Sequence, residues 1–220
     1  MKKHIYLFRH GQSYYNRDHI FTGWKDSRLT PLGIRQAKVI AKKLKNKRID
    51  VAVQTSLSRS VDTLKEVLKY HPECKIIITN DKMRERNYGK LNGKSHKWFI
   101  KKEGIDMYKT LLHWHKVDHL SGWERERFIK AAGEVELKII RRSYSVAPPG
   151  GESVKMVEKR VNSFIKELIK FMKREKVNVA ISAHGNSMRP FRRHFEKLSI
   201  KQMMELENPW DDYFVFTVDV

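Results

Sequence analysis

The sequence predicts an α/β fold on a mostly parallel central sheet, and three observations carry that prediction. Two apolar runs, residues 5–8 and 177–183, have the length and composition of strands buried on both faces. Each leads almost directly into a His-Gly pair, His10-Gly11 and His184-Gly185. Between them, segments with helical periodicity alternate with further short strand-like ones, the pattern of crossover units. Loops at the carboxyl ends of parallel strands are where such sheets hold ligands. The two histidines are therefore expected to meet there, each followed by a glycine that permits close backbone approach.

Taken in order, the first strand is followed by Thr30-Pro31, an N-cap with proline at the first helical position. Ile34, Ala37, Ile40, Ala41 and Leu44 then mark one apolar helix face. Val51-Ala52-Val53 reads as a second strand, and Leu57, Val61, Leu64 and Leu68 as the inward stripe of the next helix. Ile76-Ile77-Ile78 is a third strand. From about residue 93 to 150 the alternation stops: the segment is helical in pattern, rich in Trp, His and Lys, and ends at Pro148-Pro149-Gly150-Gly151. It reads as a helical insertion over the C-terminal edge of the sheet, with Trp98, Trp114 and Trp123 as its packing residues. A helix over 153–172 presents Val154, Val157, Val161, Phe164, Leu168 and Phe171 on one face. The strand ending at Ala183, a helix after Asn186 and a closing strand over 213–218 complete one domain spanning 1–220.

Composition narrows the function. A hydrophobic content of 40% and five Trp exclude a disordered chain. No apolar stretch approaches a membrane span, and the basic N-terminus lacks a signal-peptide core, so no membrane partner is expected. Cys74 is the only cysteine, which forbids an intrachain disulfide and fits a reducing, cytoplasmic setting. The net charge of +21 suits nucleic acid, anionic surfaces or small anionic substrates drawn in by the field. The basic residues are scattered without a tail, block or repeat, which favours lysine-rich helix surfaces and steering of a small anion over a nucleic-acid partner. The oligomeric state stays open, a homo-oligomer included.

Four pieces carry chemistry. In Arg9-His10-Gly11-Gln12-Ser13, a neutral imidazole could attack phosphorus while the neighbouring guanidinium holds phosphoryl oxygens. Arg59, in the first turn of its helix, lies off the apolar stripe and leans toward the same strand ends. Glu85, between Arg84 and Arg86, offers a carboxyl for a leaving oxygen. His184, with donors on Gly185 and Asn186, completes a cage for a tetrahedral dianion. Each piece alone reads equally well as core histidine or solvated charge; the set together is the signal. His113, His115 and His119 cluster too, but lack a fourth zinc ligand, so no metal is expected.

With these stretches the chain resembles the histidine phosphatase superfamily, and within it the cofactor-dependent phosphoglycerate mutases. The resemblance rests on Arg9 to Ser13 with Asn16, Phe21-Thr22-Gly23-Trp24-Lys25-Asp26, Leu29-Thr30, Pro31-Leu32-Gly33 with Gln36-Ala37, and the region of Arg59. Glu85 to Gly89, Gly151-Glu152-Ser153 and Ala183 to Arg189 continue it, in the family's order over nearly the whole chain. It implies a three-layer αβα sandwich in which His10 is transiently phosphorylated. Arg9, Arg59 and His184 would hold the phosphoryl group with help from Asn16, and Glu85 would donate and accept the proton. Thr22, Gly23, Tyr88, Gly185 and Asn186 would line the substrate site. The implied reaction interconverts 2- and 3-phosphoglycerate, primed by 2,3-bisphosphoglycerate and without metal. Three departures point toward a phosphomonoesterase instead: Leu112-His113 falls where mutases carry an arginine pair, His96 where they carry a lysine, and the chain stops at Val220 without their covering tail. Arg141-Arg142 or nearby lysines are the candidate replacements for that clamp. A polyanion-binding protein on the same fold is the remote alternative, supported by charge alone.

Overall fold

Residues 1–220 are described by a computed structural model. The sheet has five strands, β1 (Lys2–Arg9), β2 (Val51–Gln54), β3 (Ile76–Thr79), β4 (Val179–Ala183) and β5 (Tyr213–Asp219), in the order β3-β2-β4-β1-β5. All neighbours run parallel except β5, which closes the edge antiparallel to β1. Side-chain alternation makes this a three-layer sandwich. Ile5, Leu7, Val179 and Ile181 face α6 (Val154–Glu175) and α7 (Gly185–Glu196), packing with Val157, Val161, Phe164 and Phe191. Tyr6, Phe8, Ala52 and Ala180 face the other way, onto Ile40 and Leu44 of α2 (Pro31–Leu44) and Leu64 and Val67 of α3 (Ser58–Leu68). A four-residue helix, α1 (Tyr14–Arg17), follows β1.

Local signals fixed most boundaries. Thr30 caps α2 by accepting from the Gly33 amide, with Pro31 in the first turn. Helix α6 runs to Glu175, past the expected end, and stops at Lys176 in the left-handed conformation. Two apolar stripes need correction. Ile34 in α2 is exposed. In α3, Val61 and Leu68 are only half-buried, while Arg59, Ser60 and Thr63 are buried beside Leu64 and Val67. The polar face turns inward because it has partners there: the Ser60 hydroxyl donates to the Ser182 carbonyl and Thr63 Oγ1 accepts from the Gly11 amide.

The insertion is a helical hairpin, α4 (His96–His113) and α5 (Gly122–Arg142). The helices cross at Gly104 and Gly133, where a Cβ would collide with the Ile129 and Ile100 carbonyl oxygens respectively. Tyr108 of α4 is buried against Phe128 of α5, whereas Trp98, Trp114 and Trp123 are exposed rather than packed, Trp114 and Trp123 lying at the helix ends beyond the crossing. The histidine cluster dissolves as well. His113 ends α4, apart from His115 and His119, which both lie beside Asp118 in the following turns without forming a group that could hold a metal ion. After α7, a short α8 (Ile200–Glu205) leads through residues 206–212 to β5. No helix is long and apolar enough to cross a membrane.

Candidate active site

Strand register brings the two histidines together. Arg9 pairs with Ala183 as the last rung between β1 and β4, so His10 and His184 emerge side by side from adjacent parallel strands. Their ring centroids are 4.9 Å apart, and both rings are buried. The His10 amide donates to the Ala183 carbonyl at 3.0 Å, and the loop passes so close to the first turn of α2 that a Cβ on Gly11 would strike Gly33 O and one on Gly33 would strike Gln12 O.

The His10 ring is held in one tautomer. Its Nδ1 lies 2.7 Å from the Gly11 carbonyl oxygen. A carbonyl can only accept, so Nδ1 carries the proton and Nε2 keeps its lone pair. Burial holds the ring's pKa well below the usual histidine value, helped by the Arg59 and Arg9 cations. His184 is likewise depressed, by burial first and then by Arg59, His10 and Arg9. Thr55 Oγ1 sits 2.9 Å from His184 Nε2, whereas His184 Nδ1 is buried without a partner.

The two arginines show the same incompleteness. Arg59 donates to the Gly23 carbonyl at 2.9 Å and to Lys25 O at 3.0 Å. Arg9 donates to Asn208 O at 3.3 Å. In both, Nε is buried and unpartnered. Burial lowers each guanidinium to about 10, against the opposing pull of Glu85, so both remain cationic at neutral pH. Three buried unsatisfied nitrogens on Arg9, Arg59 and His184, beside a neutral imidazole lone pair, describe a receptor for a tetrahedral oxyanion.

Glu85 caps the start of α7: its Oε1 accepts from the Asn186 amide at 3.2 Å and from the Arg86 amide at 2.8 Å. Its own carbonyl accepts from Trp24 Nε1 at 2.8 Å and Arg160 Nη2 at 3.0 Å. Arg160 also donates to the carbonyls of Lys82 and Arg84 and pairs with Glu152, locking the loop that carries Glu85. Arg86, fully buried, donates to the carbonyls of Ile140, Val146 and Glu152. Arg86 and Arg160 are structural supports that the local sequence, a run of alternating charges, does not distinguish from surface cations.

Above these groups lies a polar cavity of about 310 Å³. Of the expected site residues, Arg9, Asn16, Thr22, Gly23, Glu85, Tyr88 and Asn186 line it, and Gly185 lines a smaller adjoining cavity of about 110 Å³. His10, Arg59 and His184 are buried behind the wall rather than on it. Asn16 uses Oδ1 to accept from the Ser13 amide and hydroxyl. Leu112 and His113 lie at the far end of α4, seventeen and eighteen residues along the helix that starts at His96 on the cavity wall. Arg141, at the C-terminal end of α5, lines both cavities, and Arg142 and Arg189 line the smaller one. Burial lowers His96 to about 4, with Arg141 and His19 adding repulsion. Glu207 and Trp210 reach the cavity from the segment before β5; nothing in their neighbourhood of the sequence announces them.

A family profile described as the histidine phosphatase superfamily (branch 1) matches residues 5–135 and 118–213. The chain belongs to the histidine phosphatase superfamily. It is 31% identical over 220 residues to a protein of Methanococcus vannielii named 2,3-bisphosphoglycerate-dependent phosphoglycerate mutase, covering 98% of this chain and 90% of that one. A protein of the same name from Parvibaculum lavamentivorans is 34% identical with the same coverage. Among solved structures, a mycobacterial glucosyl-3-phosphoglycerate phosphatase superposes with a TM-score of 0.70 at 20% identity, over 99% of this chain and 91% of that one. That likeness speaks for the shared superfamily fold, and the relatives of this superfamily thus include enzymes of both reaction types.

Proposed function

We propose that this superfamily member transfers phosphoryl groups through a phosphohistidine on His10, interconverting 2- and 3-phosphoglycerate. One observation carries the reading: Arg9, part of an oxyanion receptor with a neutral nucleophile behind the cavity wall, also lines a second cationic region with Arg141, Arg142 and Arg189. A substrate with two acid groups fits that pair of sites. The Arg141–Arg142 pair also stands in for the cationic clamp that Leu112-His113 cannot provide.

The His10 Nε2 lone pair attacks phosphorus in line as the bridging O–P bond breaks, and Glu85 protonates the departing oxygen. Arg9, Arg59 and His184 Nδ1–H bind the equatorial oxygens, with Thr55 donating to His184 Nε2. In the return step the alcohol on the other carbon bonds to phosphorus, the Nε2–P bond breaks and Glu85 takes the proton. The receptor and the second cationic region also fit 2,3-bisphosphoglycerate, which would supply the priming phosphoryl group. Metal is not required by this donor set, because the guanidinium groups supply the charge.

A phosphomonoesterase reading is favoured by one feature. Arg141 and Glu207 are exposed at the mouth, leaving a path for water. The assay is 3-phosphoglycerate with and without catalytic 2,3-bisphosphoglycerate, following 2-phosphoglycerate and free phosphate together. Bisphosphate-dependent isomerisation supports the mutase; phosphate release without isomerisation replaces it by the phosphatase. His10→Ala should reduce either activity by about three orders of magnitude or more.

A further inference from the structure

Residues 206–210, between α8 and β5, form a strap across the catalytic side of the sheet. Asn208 is buried and ties it down: its Nδ2 donates to the Gly185 carbonyl at 3.0 Å, and its carbonyl accepts from Arg9. Arg189 Nε donates to Leu206 O at 3.2 Å, and Arg192 Nη1 donates to Glu207 O at 3.0 Å. The strap thereby delivers Trp210 to a fixed place. The Arg9 guanidinium carbon lies 4.5 Å from the centroid of its ring, within cation–π range. Trp210 also lines the main cavity, and its Nε1 is buried without a hydrogen-bond partner. A buried indole N–H normally finds an acceptor. Here its neighbour across the ring is Arg9, whose own Nε is equally unpaired.

We propose that Trp210 is a positioning and specificity residue that decides how the phosphorylated enzyme partitions between transfer and hydrolysis; this rests on the phosphohistidine reading above. The ring plane covers Arg9, holds its fork toward the phosphoryl group and shields that side from water. The Nε1–H is the waiting donor for a substrate oxygen in the main cavity. Hydrolysis is the competing step: a water oxygen bonds to phosphorus, the His10 Nε2–P bond breaks, and the water proton passes to Glu85. Opening the wall at Trp210 admits that water, whereas removing only the N–H weakens substrate binding.

The two effects separate in W210A and W210F. The phosphoenzyme is formed with 32P-labelled 2,3-bisphosphoglycerate, and its decay in buffer and its transfer to 3-phosphoglycerate are timed. W210A should hydrolyse the label about tenfold faster and shift the product ratio toward free phosphate. W210F keeps the ring, so its decay should stay within about twofold of the parent while KM for 3-phosphoglycerate rises about fivefold for the lost hydrogen bond. Unchanged decay and partition in W210A, with the parent labelled normally, would overturn the role of Trp210 and leave the phosphohistidine reading intact. W210F decaying as fast as W210A would overturn the role of the ring plane. A parent enzyme that takes up no label on His10 overturns both readings together.

Discussion

Replacing Arg160 by Met tests whether the Glu85 loop is held from outside the catalytic group. Arg160 makes five hydrogen bonds: to the carbonyls of Lys82 (2.7 Å), Arg84 (2.8 Å) and Glu85 (3.0 Å), and to both oxygens of Glu152 (2.9 and 3.0 Å). Five charge-assisted bonds at about 1.5–3 kcal/mol each would sum to more than the stability of many domains, so simple addition is wrong. The better guide is the rupture of a largely buried ion pair, which costs about 3–5 kcal/mol when one charge is left behind. The Arg160 and Glu152 side chains are 17% and 13% exposed, so water softens that loss toward about 3 kcal/mol. For a chain of this size the melting temperature should drop by about 6–12 °C. Glu85 keeps its contacts with the Arg86 and Asn186 amides, so its displacement is partial. The activity loss should therefore be about tenfold, below the hundredfold expected for a full 1 Å misplacement. Thermal unfolding of R160M, E152Q and the double variant, with kcat for each, is the assay. The two single losses should exceed additivity with the double variant. R160M melting within 2 °C of the parent, on the ~2–4 °C per kcal/mol scale, with parental kcat would refute the clamp.

Three further outcomes follow from the same geometry. His10 and His184 have folded pKa values depressed below the ordinary 6.5, so below that pH the unfolded chain binds more protons than the folded one. Their contribution to stability is present above about 6.5 and lost as pH falls toward the folded values, at roughly 1.4 kcal/mol per group per pH unit. Melting curves from pH 7.5 to 5 should show this slope, and H184Q should flatten part of it. Arg141 is exposed and makes no ion pair, so R141A should leave the melting temperature unchanged while raising KM for 3-phosphoglycerate about tenfold. Hydrolysis of a phosphomonoester with no second acid group should be unaffected, and an equal loss on both substrates would contradict the assignment. Finally, G104A should destabilise the protein by about 2 kcal/mol in urea, because the collision with the Ile129 carbonyl outweighs the roughly 1 kcal/mol helix preference of Ala.

Strand patterning was legible because the inner strands β1, β2 and β4 carry apolar runs buried on both faces. His10 and His184 could be paired from their places at strand ends, before any register was known. The face of α3 was misread for a physical reason: its inward side carries Arg59, Ser60 and Thr63, and periodicity sees such residues as solvated. Their partners, the Gly23 and Ser182 carbonyls and the Gly11 amide, come from distant segments and leave no local trace. Thr55, Arg160 and Trp210 escaped for the same reason. The tryptophans of the insertion were misread in the opposite direction: the hairpin packs Tyr108 against Phe128 between its helices, while Trp114 and Trp123 sit at the helix ends, outside that contact.

The insertion is more than a cover, since Arg86 joins it to Glu85. The Arg86 backbone amide donates to Glu85 Oε1, and its Nη1 donates to the carbonyl of Ile140, one residue before Arg141. Its Nε and Nη2 hold the carbonyls of Glu152 and Val146, the two flanks of the return path from the insertion to α6. A single buried cation therefore fixes Glu85 relative to the helix end that carries Arg141. In the proposed reaction these are the two ends of the substrate: the oxygen that is protonated and the acid group that is recognised. Transfer to the other carbon requires the substrate to reorient between two poses while those ends stay a constant distance apart. A rigid tie between Glu85 and α5 supplies that constancy, and it explains why a guanidinium remote from phosphorus is buried at the cost of its own hydration.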